Sequence, residues 1–245
     1  MKLNNITISN YRQFEKAELS FHSGITVLAG ANNSGKTSLI SLIKNVFGED
    51  KSEYSESDIP AKNMQEWIDR IYPLFWDFFQ SEKETEKVDD ELVEKIIPKD
   101  ENLPREIIRT TDVKVHVDYD PDKDNIKMFA DYIMDLDETQ HSFYFLYTFE
   151  INRSRFLKEI VKEFNKLKRR FDELKEDKEK ITDESGEKHN VELKERYLKQ
   201  MIVRLYVNSI VPVCYFCDKD YKNKCKFDDI KDFRNLFYFR FIKAR

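Results

Sequence analysis

One short loop constrains this sequence more than any other feature. Residues 30–37 read Gly-Ala-Asn-Asn-Ser-Gly-Lys-Thr and match G-x-x-x-x-G-K-[ST] at every fixed position. A tight glycine-containing loop can turn its backbone N–H groups inward, where they meet the negative charges of a phosphate chain. The apolar stretch after the lysine predicts a helix, whose N-terminal dipole adds to this attraction. The loop therefore predicts a phosphate site, with a structural glycine turn as the alternative.

The positions of this loop have separate predicted roles. Lys36 is expected to reach the β- and γ-phosphates of a nucleotide, and the Thr37 hydroxyl is expected to ligate Mg²⁺. The other loop positions predicted to contact the nucleotide are Gly30, Ala31, Asn32, Asn33, Ser34, Gly35 and Ser38.

The residues around the loop predict strands before it and a helix after it. "LNNITISNY" alternates and "KAELSFH" follows it, which predicts two short strands. "GITVLAG", residues 24–30, predicts a buried third strand that ends at the loop. Apolar residues recur at helical spacing from Lys36 to Phe47, and Gly48 follows as a helix end.

The rest of the chain predicts an insertion, two strands and two helices. Residues 49–110 are polar, with one helix-like aromatic patch that Pro73 interrupts. Residues 112–120 and 141–152 predict strands, with a helix between them. From Arg155 an apolar stripe in steps of three and four predicts a helix, and a second helix follows. A helical hairpin is favoured, with a short coiled coil as the alternative.

We therefore expect an α/β P-loop fold with a mixed sheet in three parts. Residues 1–154 are the P-loop lobe with its insertion at 49–110, and residues 155–208 are the helical hairpin or coiled coil. Residues 209–245 are expected to return as strands of the lobe. The formal net charge of −5 excludes a uniformly basic nucleic-acid coat. No apolar run approaches the length of a membrane span, and three cysteines without framework spacing favour a cytoplasmic location.

The N-terminal segment resembles the ABC-type ATPase heads of the SMC, RecF and OLD families. The resemblance rests on Asn10-Tyr11-Arg12, on Gly24 before the third strand and on Asn32 in the loop, within about 45 residues. It implies that ATP and Mg²⁺ are the cofactors and that Asn32 contacts the β/γ-phosphate region. It also implies that Arg12 lies near the nucleotide, toward a facing subunit. An exposed turn arginine is the alternative for Arg12.

ATP hydrolysis by such heads needs two motifs, and neither has a clear match in this sequence. They use a strand ending in Asp-Glu, for Mg²⁺ and for the attacking water, and a signature motif from a second head. No S-G-G-x is present, Asp137/Glu138 has helical surroundings, and Lys219 follows Asp218 where a glutamate is needed. The chain thus resembles the N-terminal half of a head, ending before these elements. A second half on another chain, a truncated sequence and a degraded gene are the open explanations.

The resemblance implies a DNA-associated head, in repair or anti-phage defence, that closes as a dimer on ATP. The implied partners are a second head, double-stranded DNA bound without sequence preference, and a nuclease effector. No membrane partner is expected. Basic clusters at Lys166–Arg170 and Lys219–Lys226 are candidate DNA contacts, with a solvated helix face as the alternative for the first. The alternative functions are a nucleotide-sensing subunit without hydrolysis and the ATPase part of an OLD-like nuclease whose Toprim domain is not in this chain.

Overall fold

The computed structural model describes residues 1–48, 54–80, 90–98, 110–134, 139–178, 184–240 and 242. The chain divides into two compact units. Unit 1 is made of Met1–Pro60, Thr110–Glu150 and Pro212–Arg245, and unit 2 is made of Ala61–Arg109 and Ile151–Val211.

Unit 1 is built on a six-stranded sheet in the order β2-β1-β3-β4-β5-β6. The strands are β1 (Lys2–Tyr11), β2 (Phe14–Ser20), β3 (Asp112–Asp118), β4 (Ser142–Ile151), β5 (Ile210–Cys217) and β6 (Lys224–Lys226). The pairs β1–β2, β1–β3, β3–β4 and β5–β6 are antiparallel. β3 and β4 confirm the two strands predicted for residues 112–120 and 141–152.

One face of this sheet forms an aromatic and aliphatic core. Because side chains alternate along a strand, Val113, Val115 and Val117 of β3 point to the same face and are all buried. Phe143 and Phe145 lie opposite Val117 and Val115 in the β3–β4 register and are also buried. The predicted face of β3 is therefore confirmed for its three valines.

Helix α1 (Lys36–Phe47) carries the phosphate-loop pattern at its N-terminus and joins the core at its C-terminus. The Phe47 ring lies 5.8 Å from that of Phe233 in helix α6 (Ile230–Asn235). Arg234 donates from Nη2 to the Asn45 carbonyl at 2.7 Å and from Nε to the Val46 carbonyl at 3.3 Å. These bonds satisfy carbonyls that a helix end leaves without partners inside the helix.

Unit 2 is helical. Its elements are α2 (Ala61–Gln80), α3 (Asp90–Ile96), α4 (Arg153–Lys178) and α5 (Glu184–Ser209). The buried side of α4 carries Phe156, Ile160, Phe164 and Leu167, which confirms the predicted stripe over these four residues. α4 and α5 pack side by side, and Trp67 of α2 contacts Tyr206 of α5 with ring centroids 5.3 Å apart.

The Glu163 carboxylate ties α4 to α5 inside unit 2. It is 1% exposed, and it accepts hydrogen bonds from Lys166 Nζ at 2.5 Å and from Arg204 Nε at 2.8 Å. Burial by itself raises the pKa of this carboxyl, but the bonds from Lys166 and Arg204 outweigh it and leave the pKa below its ordinary value.

The structure corrects four expectations about local structure. Residues 24–30 form no strand and are not part of the described six-stranded sheet. Pro73 does not interrupt the aromatic patch, since α2 continues through it. The helix expected between β3 and β4 is reduced, over the described residues, to a 3₁₀ turn at Lys127–Tyr132. The last segment contains α6 after β6 rather than a further strand, as far as it is described.

No helix among the described residues is both long enough and apolar enough to cross a membrane.

Candidate functional site

The loop before α1 is shaped by two residues in the left-handed region of backbone space. Asn33 has φ 64° and Gly35 has φ 89°, and Gly35 is the N-cap of the helix. Ser34 N donates to the Ala31 carbonyl at 3.3 Å, which closes a turn, and Leu39 N donates to the Gly35 carbonyl at 3.0 Å. Asparagine and glycine are the residues that adopt this conformation most readily, so the sequence suits the loop.

The side chain of Lys36 folds back across this loop. Its Nζ donates to the Gly30 carbonyl at 2.7 Å, to the Ala31 carbonyl at 2.6 Å and to Ser34 Oγ at 3.3 Å. The ammonium group thus lies over the loop, where an ammonium that binds a phosphate chain has to be. Residues 31–34 and Thr37 are exposed, so the loop is open to a ligand from solvent.

Gly35 also marks the place where the turn between β1 and β2 reaches the loop. A Cβ atom on Gly35 would lie 2.2 Å from Phe14 Cζ and 2.3 Å from Gln13 Nε2. A larger residue at this position would have to displace the ends of these two side chains, in addition to the strain of its positive φ. The turn carrying Asn10-Tyr11-Arg12 and the loop carrying Lys36 therefore meet in space, which spacing along the chain does not show.

The turn itself is held in an unusual conformation by its neighbours. Asn10 and Arg12 have φ values of 56° and 50°. Thr111 Oγ1 donates to the Asn10 carbonyl at 2.7 Å and lies 2.8 Å from Tyr54 Oη. Such backbone angles are unfavourable for non-glycine residues and persist only where surrounding contacts hold them. The hydrogen bond from Thr111 is one such contact.

Four contacts hold Arg12 in place. Its Nε and Nη2 both lie 2.9 Å from Asp58 Oδ1, and its backbone N donates to the Asp58 carbonyl at 2.9 Å. Its Nη1 donates to Ser38 Oγ at 3.2 Å, in the first turn of α1. Arg12 is therefore neither a free surface arginine nor distant from the loop. Its expected orientation toward a facing subunit remains a prediction.

Tyr11 lies beside this ion pair and is fully buried. Burial, and next to it the negative charge of Asp58, raises the pKa of Tyr11 to about 12. The phenol therefore stays protonated at neutral pH and adds no charge near the loop.

Sequence reasoning missed Asp58, Tyr54 and Thr111. Ser55 and Asp58 form a capping box around a 3₁₀ turn at Glu56–Asp58, and the S-x-x-D spacing was the one available signal. That spacing predicts a turn, but it does not reveal that Asp58 binds an arginine 46 residues earlier in the chain.

The other candidate residues do not join the loop within the described structure. Asp218 accepts from Lys222 N at 2.9 Å and from Asn223 Nδ2 at 2.7 Å, so its carboxylate closes a tight turn. Asp137 and Glu138 lie outside the described residues. No group of three or more potential metal-binding side chains occurs among the residues that the structure describes.

The segment that leads into the loop exposes apolar side chains. Ile25 is 85% exposed and Val27 is 79% exposed, in the stretch where a buried strand was predicted. Ile25 and Val27 are therefore candidates for contact with another surface.

A row of cations runs along the exposed side of α4. The row consists of Arg155, Lys158, Lys162, Lys166 and Arg169, all exposed and spaced three or four residues apart. This spacing keeps them on one side of the helix over about 21 Å. A surface cavity of 450 Å³ adjoins the row and is lined by Arg155, Lys158, Glu159, Lys162 and Asn208.

Comparisons with known proteins agree with this geometry. The model of the family described as AAA ATPase domain matches residues 1–236. The DNA double-strand break repair Rad50 ATPases of Methanosarcina mazei and Methanosarcina acetivorans are each 48% identical over 40 residues, 16% of this chain. The DNA replication and repair protein RecF of Geobacillus thermodenitrificans is 36% identical over 67 residues, 27% of this chain. The matches span 4% of each Rad50 relative and 17% of RecF.

Proposed function

Because this chain belongs to the AAA ATPase domain family, we propose that it binds Mg·ATP on the loop from Gly30 to Ser38. The observation that carries the proposal is the Lys36 ammonium, held over a loop whose N–H groups precede the N-terminus of α1. A helix N-terminus and a lysine together attract a phosphate chain more strongly than either does alone.

Each group has a role in this proposal. The backbone N–H groups of residues 31–37 surround the phosphates, and Asn32 contacts the β/γ-phosphate region. Lys36 exchanges a loop carbonyl for a phosphate oxygen. Thr37, which is exposed beside the loop, would hold Mg²⁺ through its hydroxyl.

We further propose that the chain acts as an ATPase head that pairs with a second head when ATP binds. The exposed Ile25 and Val27 support this, because they adjoin the loop and offer apolar surface to a partner. A partner that covers them only in the ATP-bound state would couple nucleotide binding to closure.

ATP turnover separates the head from a nucleotide-sensing subunit. Phosphate release is measured over a range of protein concentrations, for the natural chain and for Lys36→Ala. Turnover that rises faster than concentration, and that Lys36→Ala abolishes, supports a head that works as a pair. Binding without turnover supports a sensor, and turnover unchanged in Lys36→Ala overturns the assignment of this loop.

DNA is the second partner that we propose, and the cationic row on α4 supports it. The curated relatives carry names in DNA repair and replication, and a row of exposed cations fits the regular charges of a duplex backbone. Acidic neighbours moderate the row, since Glu159 pairs with Lys162 at 3.1 Å and Glu163 with Lys166. Binding is therefore expected to be weak and independent of sequence.

Salt dependence tests this partner. Affinity for a 30-bp duplex is compared between the natural chain, a triple variant of the row (Lys158→Gln, Lys162→Gln, Arg169→Gln) and a control with the same charge change in unit 1 (Lys16→Gln, Lys123→Gln, Lys231→Gln). The row variant is expected to reduce the slope of log affinity against log salt by about 2 to 3, since each phosphate contact adds about 0.9. Equal slopes in the two triple variants would exclude this row as the DNA-binding surface.

The anti-phage role, the nuclease partner and the cytoplasmic location remain predictions from the sequence.

A further inference from the structure

Asp58 is a buried carboxylate whose bonds all lead toward the nucleotide loop or secure its own turn. The residue is 4% exposed. Its Oδ2 accepts from Ser55 N and Ser55 Oγ, both at 2.9 Å, which anchors the turn. Its Oδ1 accepts from Arg12 Nε and Nη2, both at 2.9 Å. The carboxylate thus has one oxygen for its own turn and one for Arg12.

This arrangement fixes the direction of the Arg12 side chain. A guanidinium is planar, so two N–H groups held on one carboxylate set where the third group points. Here the third group, Nη1, points to Ser38 Oγ at 3.2 Å. Ser38 directly follows Thr37, is buried, and belongs to the first turn of α1.

An acidic side chain near a phosphate loop is unfavourable on electrostatic grounds alone. The ion pair with Arg12 offsets this repulsion, because the carboxylate and the guanidinium carry opposite charges. Arg12 itself has φ 50°, an unfavourable angle for a non-glycine residue, and its contacts with Asp58 help to hold this backbone in place.

We propose that Asp58 is a positioning residue of the nucleotide site, which holds the Arg12 guanidinium against Ser38 and thereby strengthens nucleotide binding. This inference rests on the proposed binding of Mg·ATP to the loop. Asp58 does not touch the nucleotide in this account, and it acts through Arg12.

The test is a set of dissociation constants for Mg·ATP, each measured well below the unfolding temperature of the variant. Asp58→Asn is expected to weaken binding about tenfold, as expected for loss of a hydrogen bond to a charged group. Arg12→Lys keeps the charge but loses the planar fork, so it is expected to weaken binding to a similar degree. Adding Asp58→Asn to Arg12→Ala is expected to have no further effect, because the two residues act as one unit.

Two further variants separate this role from a purely structural one. Asp218→Asn removes a carboxylate that also secures a turn, and it is expected to lower the unfolding temperature with the dissociation constant unchanged. Ser38→Ala leaves the Arg12–Asp58 pair in place and is expected to weaken binding in the natural chain but not in Arg12→Ala. This pair of measurements remains informative if Asp58→Asn fails to fold.

The outcomes are distinct. Three results would each overturn the positioning role while leaving Mg·ATP binding in place. The first is unchanged or tighter binding by Asp58→Asn, and the second is natural affinity in Arg12→Lys. The third is an additive effect on the dissociation constant when Arg12→Ala is combined with Asp58→Asn or with Ser38→Ala. If the natural chain binds no Mg·ATP, the proposed function itself is wrong and this inference falls with it.

Discussion

The guanidinium of Arg12 lies against the carboxylate of Asp58, with Nε and Nη2 each 2.9 Å from Oδ1. This contact joins the turn after β1 to a segment 46 residues later in the chain, and Arg12 Nη1 extends it to Ser38 in α1. Three separate stretches of sequence therefore meet beside the phosphate loop. The arrangement gives a physical reason for Asn10-Tyr11-Arg12 to accompany such a loop.

The backbone of Asn10 should be sensitive to side-chain branching. At φ 56°, a β-branched residue clashes with its own backbone, so Asn10→Val is expected to lower the free energy of unfolding by about 1–3 kcal/mol. Asn10→Gly is expected to cost less. Urea unfolding measures both variants, with Ser9→Val as the control in the neighbouring position of the same strand. Equal losses in the two valine variants would mean that the left-handed backbone is not the cause.

Gly35 should tolerate a side chain poorly. Its φ of 89° and the position of Phe14, 2.2 Å from where a Cβ atom would lie, both act against alanine. Gly35→Ala is therefore expected to cost about 1–3 kcal/mol in stability. Gly24→Ala serves as the control, because no atom lies within 4 Å of a Cβ there. Thermal unfolding of both variants checks this, and similar unfolding temperatures would contradict it.

Local patterns predicted the parts of this fold that local physics decides. The alternation of Val113, Val115 and Val117 reports a buried sheet face, and the stripe from Phe156 to Leu167 reports a buried helix face, because burial follows the period of each element. The motif around Lys36 likewise predicted helix α1 from residue types alone.

Two of the failures depended on partners distant in sequence. Residues 24–30 have the composition of a strand, but a strand also needs a neighbour, and the described sheet has none for it. Asp58 joins the site only because the fold brings its turn to Arg12. No periodicity reports such a contact.

The ion pairs of Glu163 should make unit 2 sensitive to acid. Because the folded-state pKa lies below the ordinary 4.5, the stabilisation is fully present above that pH and is lost as pH falls through the folded pKa. Glu163→Gln is expected to cost about 1–3 kcal/mol at pH 7, with the difference from the natural chain narrowing below about pH 4.5. The free energy of unfolding of both proteins is measured from pH 7 to pH 3. Glu159→Gln is the control, because it removes the more exposed pair with Lys162 and should cost only about 0–1 kcal/mol in the free energy of unfolding. If the loss of unfolding free energy in Glu163→Gln stayed constant from pH 7 to pH 3, the ion pairs would not be its cause.

The exposed side chains before the loop should matter for assembly and not for folding. Replacing Ile25 and Val27 by threonine is expected to leave the unfolding temperature unchanged, because both are largely exposed. The same variant should weaken self-association in Mg·ATP, measured by sedimentation velocity. Val161→Thr with Val191→Thr is the control, since these side chains are exposed in unit 2. Natural self-association in the Ile25/Val27 variant would exclude this segment as the pairing surface.

The most direct test of the central claim is the dissociation constant for Mg·ATP, measured by isothermal titration calorimetry on the natural chain and on Lys36→Ala. The Lys36 ammonium donates to Gly30 and Ala31 over the loop and is the charge placed to meet the phosphates. Saturable binding at one site per chain is expected, weakened at least tenfold in Lys36→Ala, since a charged hydrogen bond is worth about 1.5–3 kcal/mol. Absence of binding by the natural chain, or equal affinity in the two proteins, would contradict the assignment of this loop as the nucleotide site.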